Sequence, residues 1–450
     1  MSELIKQVLH SLKHKKNLNI LMVFTIAIGI ALMTTMMTIA HQELKISLPD
    51  KSDNVHLIML DNRELDAPVQ EVYAMPRTTY KDVENIFSSN PGTLNLVRLW
   101  ETRFIAEPEE LTVRPMRLNA SAVNNQLFDL MEMPFIYGNA WSLDDQKNSK
   151  AVIVIDKTVN DAFFGGANSV GKRILIEKKP MTIVGVMDIS VHPKRFQNRN
   201  FSTRRNDQAF IPYTFALENN LNRVARIACP KNQTANNRLY RNNDVAGLKA
   251  SECGFEVLWA EFKDKKQSDA FFTWLNAYAQ KNKEMGRFFQ DKIVYALSLS
   301  QMMAFYGDND WTQTLAMLSY LLFAVCIVNT SGIMLAKFQS KAKLVSLYRA
   351  LGATKNYIVK IHFFEVIIIS FIGILLGLVL SKLGLHIMYE IARYQSDYLS
   401  DPKQLQALYS IDWNMIIRAA SITTFSVIAA GIYPIWRISN LAPASQLRGA

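Results

Sequence analysis

Seven histidines, three cysteines and 39 acidic residues could supply acid–base, nucleophilic or metal chemistry, so their spacing decides whether they do. No CxxC, HExxH or GxSxG occurs, and none of the histidines stands in a catalytic context. No metal site and no catalytic residue is therefore expected. GxxxxGK[ST], the loop whose amides cradle nucleotide phosphates, is also absent, so the chain is read as binding no cofactor itself and as no enzyme on its own. Ionisable groups inside apolar runs would point to ion coupling. Such groups are nearly missing; Glu365 and Arg418 each stand close enough to the end of a run to reach an interface, so no proton relay is expected. Cys229 and Cys253 share one polar block, where a disulfide is an option that spacing alone leaves open. Cys326 lies in an apolar run and reads as a packing residue.

The elements that carry these residues are dominated by apolar helices. The chain is 49% hydrophobic and 20% charged, and the two kinds of residue are segregated. Leu18 to Ala40 contains no charge, and as a helix it measures about 34 Å, enough for a hydrocarbon core of roughly 30 Å. Similar runs follow, giving spans at 17–40, 311–336, 363–385 and 413–438. The expected class is a polytopic α-helical membrane protein with four spans and a large mixed α/β domain, 41–310, between the first and second. The first run is too long for a signal-peptide core and exits into HQELK without a cleavage site, so it reads as a permanent anchor.

Lysine and arginine set the orientation. Lys6, Lys13, Lys15 and Lys16 precede span one, and Arg437 and Arg448 follow span four or close it. The segment 337–362 carries Lys337, Lys341, Lys343, Arg349, Lys355 and Lys360 without an acid, whereas 386–412 mixes four acids with Arg393 and Lys403. Both termini and 337–362 are expected in the cytoplasm, with 41–310 and 386–412 outside. The net charge of +11 partly reflects this asymmetry and calls for anionic membrane lipids, not nucleic acid, as a partner. Residues 1–16 read as an interfacial amphipathic helix, with Leu4, Ile5, Val8, Leu9 and Leu12 on one face. The tail is 439–450.

Within the outer block, NVHLIML, LNLVRLWETRFIA, AVIVI, DQAFIPYTFA and FEVLWAEF read as strands. GKRILIEKKPMTIVGVM reads as a hairpin turning near Lys178–Pro180. TTYKDVENIFSSN, TVNDAFFG and KQSDAFFTWLNAYAQKN read as helices, the last burying Phe271, Phe272, Leu275 and Tyr278. The Asn- and Arg-rich stretch 216–250 reads as exposed loop or surface helix. Two lobes are expected, a membrane-proximal one (about 41–120 and 251–310) and an inserted one (about 121–250).

LVSLYRALGATKNYIVKIHFFEVIIISFIGILLG resembles the signature segment of MacB-like (FtsX-like) ABC transporter permeases, which carry a short coupling helix, an Arg-Ala-Leu-Gly-Ala motif and a following Glu. The matching residues are Arg349, Ala350, Leu351, Gly352, Ala353 and Glu365. The closing AGIYPIWRISNLAPASQLR, with Pro434, Ala442-Pro443-Ala444 and Leu447-Arg448, is similar too. So is the NQLFDLMEMPFIYGNAW to FIPYTFA stretch, which resembles the MacB-type periplasmic core domain. The resemblance implies a permease dimer driven by two cytoplasmic ABC ATPase subunits, which would bind the ATP and Mg. With no ATPase motif in the chain, a separate ATPase is expected.

A coupling helix over about Lys343–Ala353 would offer Leu347, Ala350 and Leu351 to an ATPase groove. Lys343, Arg349 and Lys355 would meet lipid phosphate or acidic rim residues, and Gly352 would permit the turn into span three. Two positions depart from the family pattern. Leu344 stands where an acid is usual, and Ser346 where a Gly is usual. The lost charge motivates a heterodimer with a second, different permease protomer. Gly373 and Gly377 form GxxxG, a close-packing site within or between subunits. The expected activity is mechanotransmission that drives efflux of peptides, antibiotics or amphiphiles from the inner-membrane surface, with an adaptor and an outer-membrane channel. Lipoprotein extraction and activation of a cell-wall hydrolase are the alternatives.

Overall fold

A computed structural model describes residues 16–44, 48–63, 77–89, 94–109, 113–188, 207–224, 227, 229–230, 244–302, 310–395, 406, 409–410 and 413–440. The amphipathic segment 1–15, all of 231–243, much of the loop 386–412 and the closing motif after Asn440 lie outside these residues. The chain divides into two compact units. One is Met1–Lys45, Asp308–Gln395 and Gln406–Ala450; the other is Ile46–Gly307 with Ser396–Leu405.

The spanning unit holds α1 (Lys16–Leu44), which precedes the α/β unit in the chain. The α/β unit then runs β1 (Val55–Leu60), β2 (Thr78–Thr79), α2 (Tyr80–Ser89), β3 (Asn95–Pro108), β4 (Met116–Val123), α3 (Gln126–Leu130) and β5 (Phe135–Gly138). It continues with α4 (Leu143–Lys147), β6 (Val152–Asp156), α5 (Lys157–Phe164), β7 (Arg173–Ile176), β8 (Lys179–Met187), β9 (Ala209–Pro212) and α6 (Tyr213–Glu218). It closes with α7 (Val245–Ala250), β10 (Gly254–Glu261), α8 (Lys265–Glu284) and β11 (Val294–Ser298). The chain then returns to the spanning unit as α9 (Asp310–Ser340), α10 (Ala342–Ala350), α11 (Lys355–Gln395) and α12 (Trp413–Ser439).

The strands form one sheet in the order β11-β1-β10-β3-β4-β9-β6-β8-β5, with β2 on β10 and β7 on β3 and β8. Residues expected in two lobes thus share a single hydrogen-bonded sheet. The long β3 joins them, pairing with β10 through Asn95–Leu99 and with β4 through Leu99–Ala106. Period-two alternation feeds cores on both faces. In β1, Leu57 and Met59 enter one apolar cluster and Ile58 and Leu60 another; in β10, Val257 and Trp259 part from Leu258 and Ala260 in the same way.

Several expectations change in detail. The strand expected through YTFA stops at Pro212, which has no N–H to continue a ladder, and Tyr213 begins a helix instead. The hairpin turns one residue early, at Glu177 and Lys178, both at positive φ as a tight two-residue turn requires. On α8, Phe271 and Leu275 are buried but Phe272 and Tyr278 only partly, with Ala279 and Asn282 completing the inner face. Cys229 and Cys253 are joined by a disulfide.

Four helices are long and apolar enough to cross a bilayer, within Lys16–Gln42, Ala316–Ser340, Lys355–Tyr394 and Trp413–Ser439. The third is longer than the expected 363–385 at both ends. HIMYEIAR, beyond Leu385, contains no Gly or Pro to stop the helix, so α11 runs into the region expected as loop. The spans pack through small residues. A Cβ on Gly373 would meet Ile26 at 2.8 Å, and one on Gly377 would meet Ile30 at 2.8 Å and the Ala27 carbonyl at 3.0 Å. The GxxxG face of span three is therefore taken up inside the chain, by span one. Pro434 sits within α12 and cannot donate to the carbonyl of Ala430. Ser331 of span two donates to that carbonyl at 3.0 Å, replacing the missing bond.

Candidate functional site, the coupling segment

The residues singled out between spans two and three form a helix and a tight turn. The inner face of α10 is Ala342, Val345 and Ser346, and Val345 joins a core with Met334, Phe338 and Ile358. Ser346 is 1% exposed, so the usual Gly position still needs a small residue. The helix ends in a paired cap. Gly352 donates to the Arg349 carbonyl at 3.2 Å and Ala353 to that of Tyr348 at 3.0 Å, with Gly352 at φ +97°. This 5→2 and 6→1 pairing needs a left-handed residue that glycine adopts without strain. Thr354 then starts α11, its hydroxyl accepting from the Tyr357 N–H.

The outer face carries an apolar ridge. Leu344, Leu347, Tyr348 and Leu351 are 44%, 47%, 40% and 76% exposed, at the i, i+3, i+4, i+7 spacing of one helix stripe. Leu344 opens this ridge. Lys343 and Ala350 are exposed beside it, and Ala353 is half-buried on the core side. Arg349 and Lys355 also have intramolecular partners. Arg349 donates to the Ser439 carbonyl at 3.3 Å and Lys355 to Asn440 Oδ1 at 3.1 Å. Both cations thus meet the end of α12, where unpaired carbonyls carry partial negative charge.

Beneath the ridge lies a buried charge cluster. Glu365 does not reach an interface; its side chain is 0% exposed. Oε1 meets Lys337 Nζ in an ion pair and accepts from Lys341 Nζ at 3.2 Å. His362 Nδ1 lies 3.1 Å from Oε2, and its ring packs on Phe338 with centroids 4.4 Å apart. The partners come from the end of α9, the single residue before α10 and the first turns of α11. One carboxylate therefore ties together span two, the start of α10 and span three. The sequence reading took Lys337 and Lys341 only as markers of orientation. Their four-residue spacing, and the three-residue spacing of His362 and Glu365, place each pair on one helix face and could have found the cluster.

The α/β unit holds a contrasting cluster. Arg98 donates to both oxygens of Glu256, at 2.9 and 2.8 Å, and to Tyr213 OH at 2.7 Å. Its guanidinium also lies 3.9 Å from the Tyr213 ring centroid and pairs with Glu84. Burial works against the Arg98 charge, but the Glu256 carboxylate more than offsets it and holds its pKa above the ordinary value. Among the described residues no group of His, Cys, Asp and Glu is placed to hold a metal.

Two family descriptions match the chain: the MacB-like periplasmic core domain over residues 20–243, and the FtsX-like permease C-terminal domain over 316–443. The macrolide export ATP-binding/permease protein MacB of Neisseria gonorrhoeae is 24% identical over 342 residues, 75% of this chain and 45% of the relative. The protein of that name from Burkholderia pseudomallei is 21% identical over 349 residues, 75% of this chain and 44% of the relative. The chain thus spans about half the length of the curated relatives it matches. The periplasmic region of MacB from Actinobacillus actinomycetemcomitans, a solved structure, is 13% identical with a TM-score of 0.37, over 58% of this chain and 96% of that one. The first description reaches from span one into the α/β unit, and the second takes in the coupling segment and the last three spans. With four spans and a mixed α/β domain between the first and second, the chain belongs to the MacB-like, FtsX-type ABC permeases.

Proposed function

We propose that this chain is the membrane subunit that converts ATP hydrolysis by ABC ATPase subunits into motion of its extracytoplasmic domain. The observation that carries the reading is an exposed apolar ridge on a helix whose buried side is fastened to two spans by one carboxylate. The ridge from Leu344 to Leu351 fits a groove on an ATPase. The Glu365 cluster makes α10 and the adjoining ends of spans two and three one lever. ATP and Mg belong to the ATPase. The basic residues around α10 support a cytoplasmic position for it, in an inner membrane with both termini on the same side.

The cargo reading follows the relatives named for macrolide export. Movement of the α/β unit would drive peptides, antibiotics or other amphiphiles toward an adaptor and an outer-membrane channel. The test is co-reconstitution in vesicles with the partner ABC ATPase. ATP turnover rises severalfold with the intact chain and does not rise with Leu347→Asp/Leu351→Asp. Turnover that ignores the chain, or ignores the double substitution, overturns the reading. Pull-down from membranes then separates efflux, which returns an adaptor and channel, from hydrolase activation, which returns a cell-wall enzyme.

A further inference from the structure

Between the last turns of spans two and four lies a groove of about 290 Å³. One wall is Leu335, Phe338 and Gln339 of α9 and the other Pro434, Arg437 and Ile438 of α12, each set at the i, i+3, i+4 spacing of one helix stripe. Ala342, the first residue of α10, lines it too. One turn back along both helices the spans are joined, where Ser331 donates to the Ala430 carbonyl at 3.0 Å.

The floor of the groove is apolar and its rim is not. Phe338, Pro434 and Ile438 are buried, whereas Gln339 and Arg437 are exposed. Arg437 Nη1 donates to Tyr433 OH at 3.3 Å, and no carboxylate among the described residues pairs with it. Tyr433 and Trp436 are exposed beside it and stack with centroids 6.5 Å apart. Exposed Tyr and Trp next to a cation mark the headgroup level of a spanning helix. An occupant must therefore offer an apolar portion to the floor and an anion to the rim. The volume falls just short of a site that encloses a whole small molecule, so it takes a headgroup and the start of a chain. The adjoining segment 337–362 is basic and holds no acid before Glu365, which favours a ligand of net negative charge over a zwitterion.

We infer that this groove binds an anionic phospholipid of the cytoplasmic leaflet, with its phosphate at Arg437 and Gln339 and the start of an acyl chain over Phe338, Pro434 and Ile438. The guanidinium supplies charge-assisted donors and the amide a neutral one. A lipid held there abuts the lever. Phe338 packs on His362 with centroids 4.4 Å apart, and His362 Nδ1 lies 3.1 Å from Glu365 Oε2. A diffuse basic surface attracts the same lipids without choosing where they sit, so a discrete site is distinguished by its location. The inference rests on the proposed cytoplasmic position of α10, which sets the groove at this leaflet.

The test uses the full chain in phosphatidylcholine vesicles containing a small fraction of phosphatidylglycerol with a photoactivatable acyl chain, the adducts being mapped by mass spectrometry. Labelling falls on the peptides carrying 335–342 and 434–438, at least fivefold above that from the same group on phosphatidylcholine. Arg437→Gln lowers it about fivefold, the weight of one basic residue at an anionic surface, and Arg437→Lys retains most of it. Lys360→Gln removes the same charge from an exposed position outside the groove and changes labelling less than twofold. Arg437 and Lys360 are both exposed, so these variants keep the fold. Labelling spread evenly over the four spans, equal labelling by the two lipids, or an equal loss with Lys360→Gln overturns the inference. So does loss of labelling on adding soluble glycerol phosphate, which makes the ligand a free anion, or on adding the partner ATPase, which makes that subunit the occupant. A chain that stimulates its ATPase without labelling in the groove overturns the site and leaves the proposed function standing. Groove labelling without ATPase stimulation does the reverse.

Discussion

Glu365 in the spanning unit and Glu256 in the α/β unit are both fully buried against cations, but their surroundings differ in charge balance and in what they join. Glu256 meets one guanidinium, so the buried charges are matched one to one, with a second acid, Glu84, exposed at the rim, and two adjacent strands are clamped. Glu365 meets two ammonium groups and a histidine, so positive charge is in excess. Its partners stand on three helical segments that a short turn could let move apart. The balanced cluster suits an element that stays fixed within a sheet. The unbalanced one suits a joint whose single carboxylate must hold several elements together.

The largest effect belongs to that carboxylate. Glu365→Leu leaves two lysines buried without a counter-charge, a loss of about 3–5 kcal/mol. Stimulation of the partner ATPase should fall more than tenfold in reconstituted vesicles while the α/β unit melts as before. Next is Arg98→Met, which strands Glu256 and destabilises the α/β unit by about 3 kcal/mol in thermal unfolding of the full chain. Adding Glu256→Leu should recover part of that loss, because replacing both partners removes the unpaired charge. If Glu365→Leu lowers the melting of the α/β unit as much as Arg98→Met does, the contrast between the clusters collapses.

Lys341→Gln sharpens the comparison. The Glu365 cluster retains Lys337 as a cation, so the cost should be only about 1 kcal/mol, with ATPase stimulation changed no more than twofold. A loss as large as that of Glu365→Leu would mean that the excess charge is not spare. The smallest effect is acid sensitivity at Glu252. Burial alone would raise its pKa, but hydrogen bonds from Arg287 and Lys81 outweigh burial and lower it below the usual 4.5. Its contribution is therefore complete above that value and fades as pH falls through the lowered one. Glu252→Gln should flatten the melting temperature of the α/β unit against pH below about 4.5, and should leave it unflattened near neutrality.

Much of this was legible in the sequence. Four long apolar runs marked the spans, and strands such as NVHLIML and AVIVI declared themselves by apolar content. The coupling helix was legible through its resemblance, because Leu351-Gly352-Ala353 is the end of a capped helix. What the sequence hid depends on partners far along the chain. Lys337 and Lys341 served only to orient the chain until α9 and α11 brought them, together with His362, onto Glu365. Gly373 and Gly377 announced a close approach but not that span one makes it. The lost acid at Leu344 looked like a missing contact until the helix set it in line with Leu347, Tyr348 and Leu351. The joining of both expected lobes by β3 was hidden for the same reason, since strand order is set by pairings and not by local pattern.

The central claim is that the coupling helix and span three move as one body when ATP binds. Its direct test is a spin-label distance between Lys343→Cys on α10 and Phe371→Cys on span three, both exposed, in a Cys326→Ala chain reconstituted with its ATPase. The account predicts the same narrow distance distribution with and without a non-hydrolysable ATP analogue, and a broad one after Glu365→Gln. A shift of several Å in the otherwise unaltered chain on adding the analogue would contradict it, because the helix would then be moving apart from the span it is held to drive.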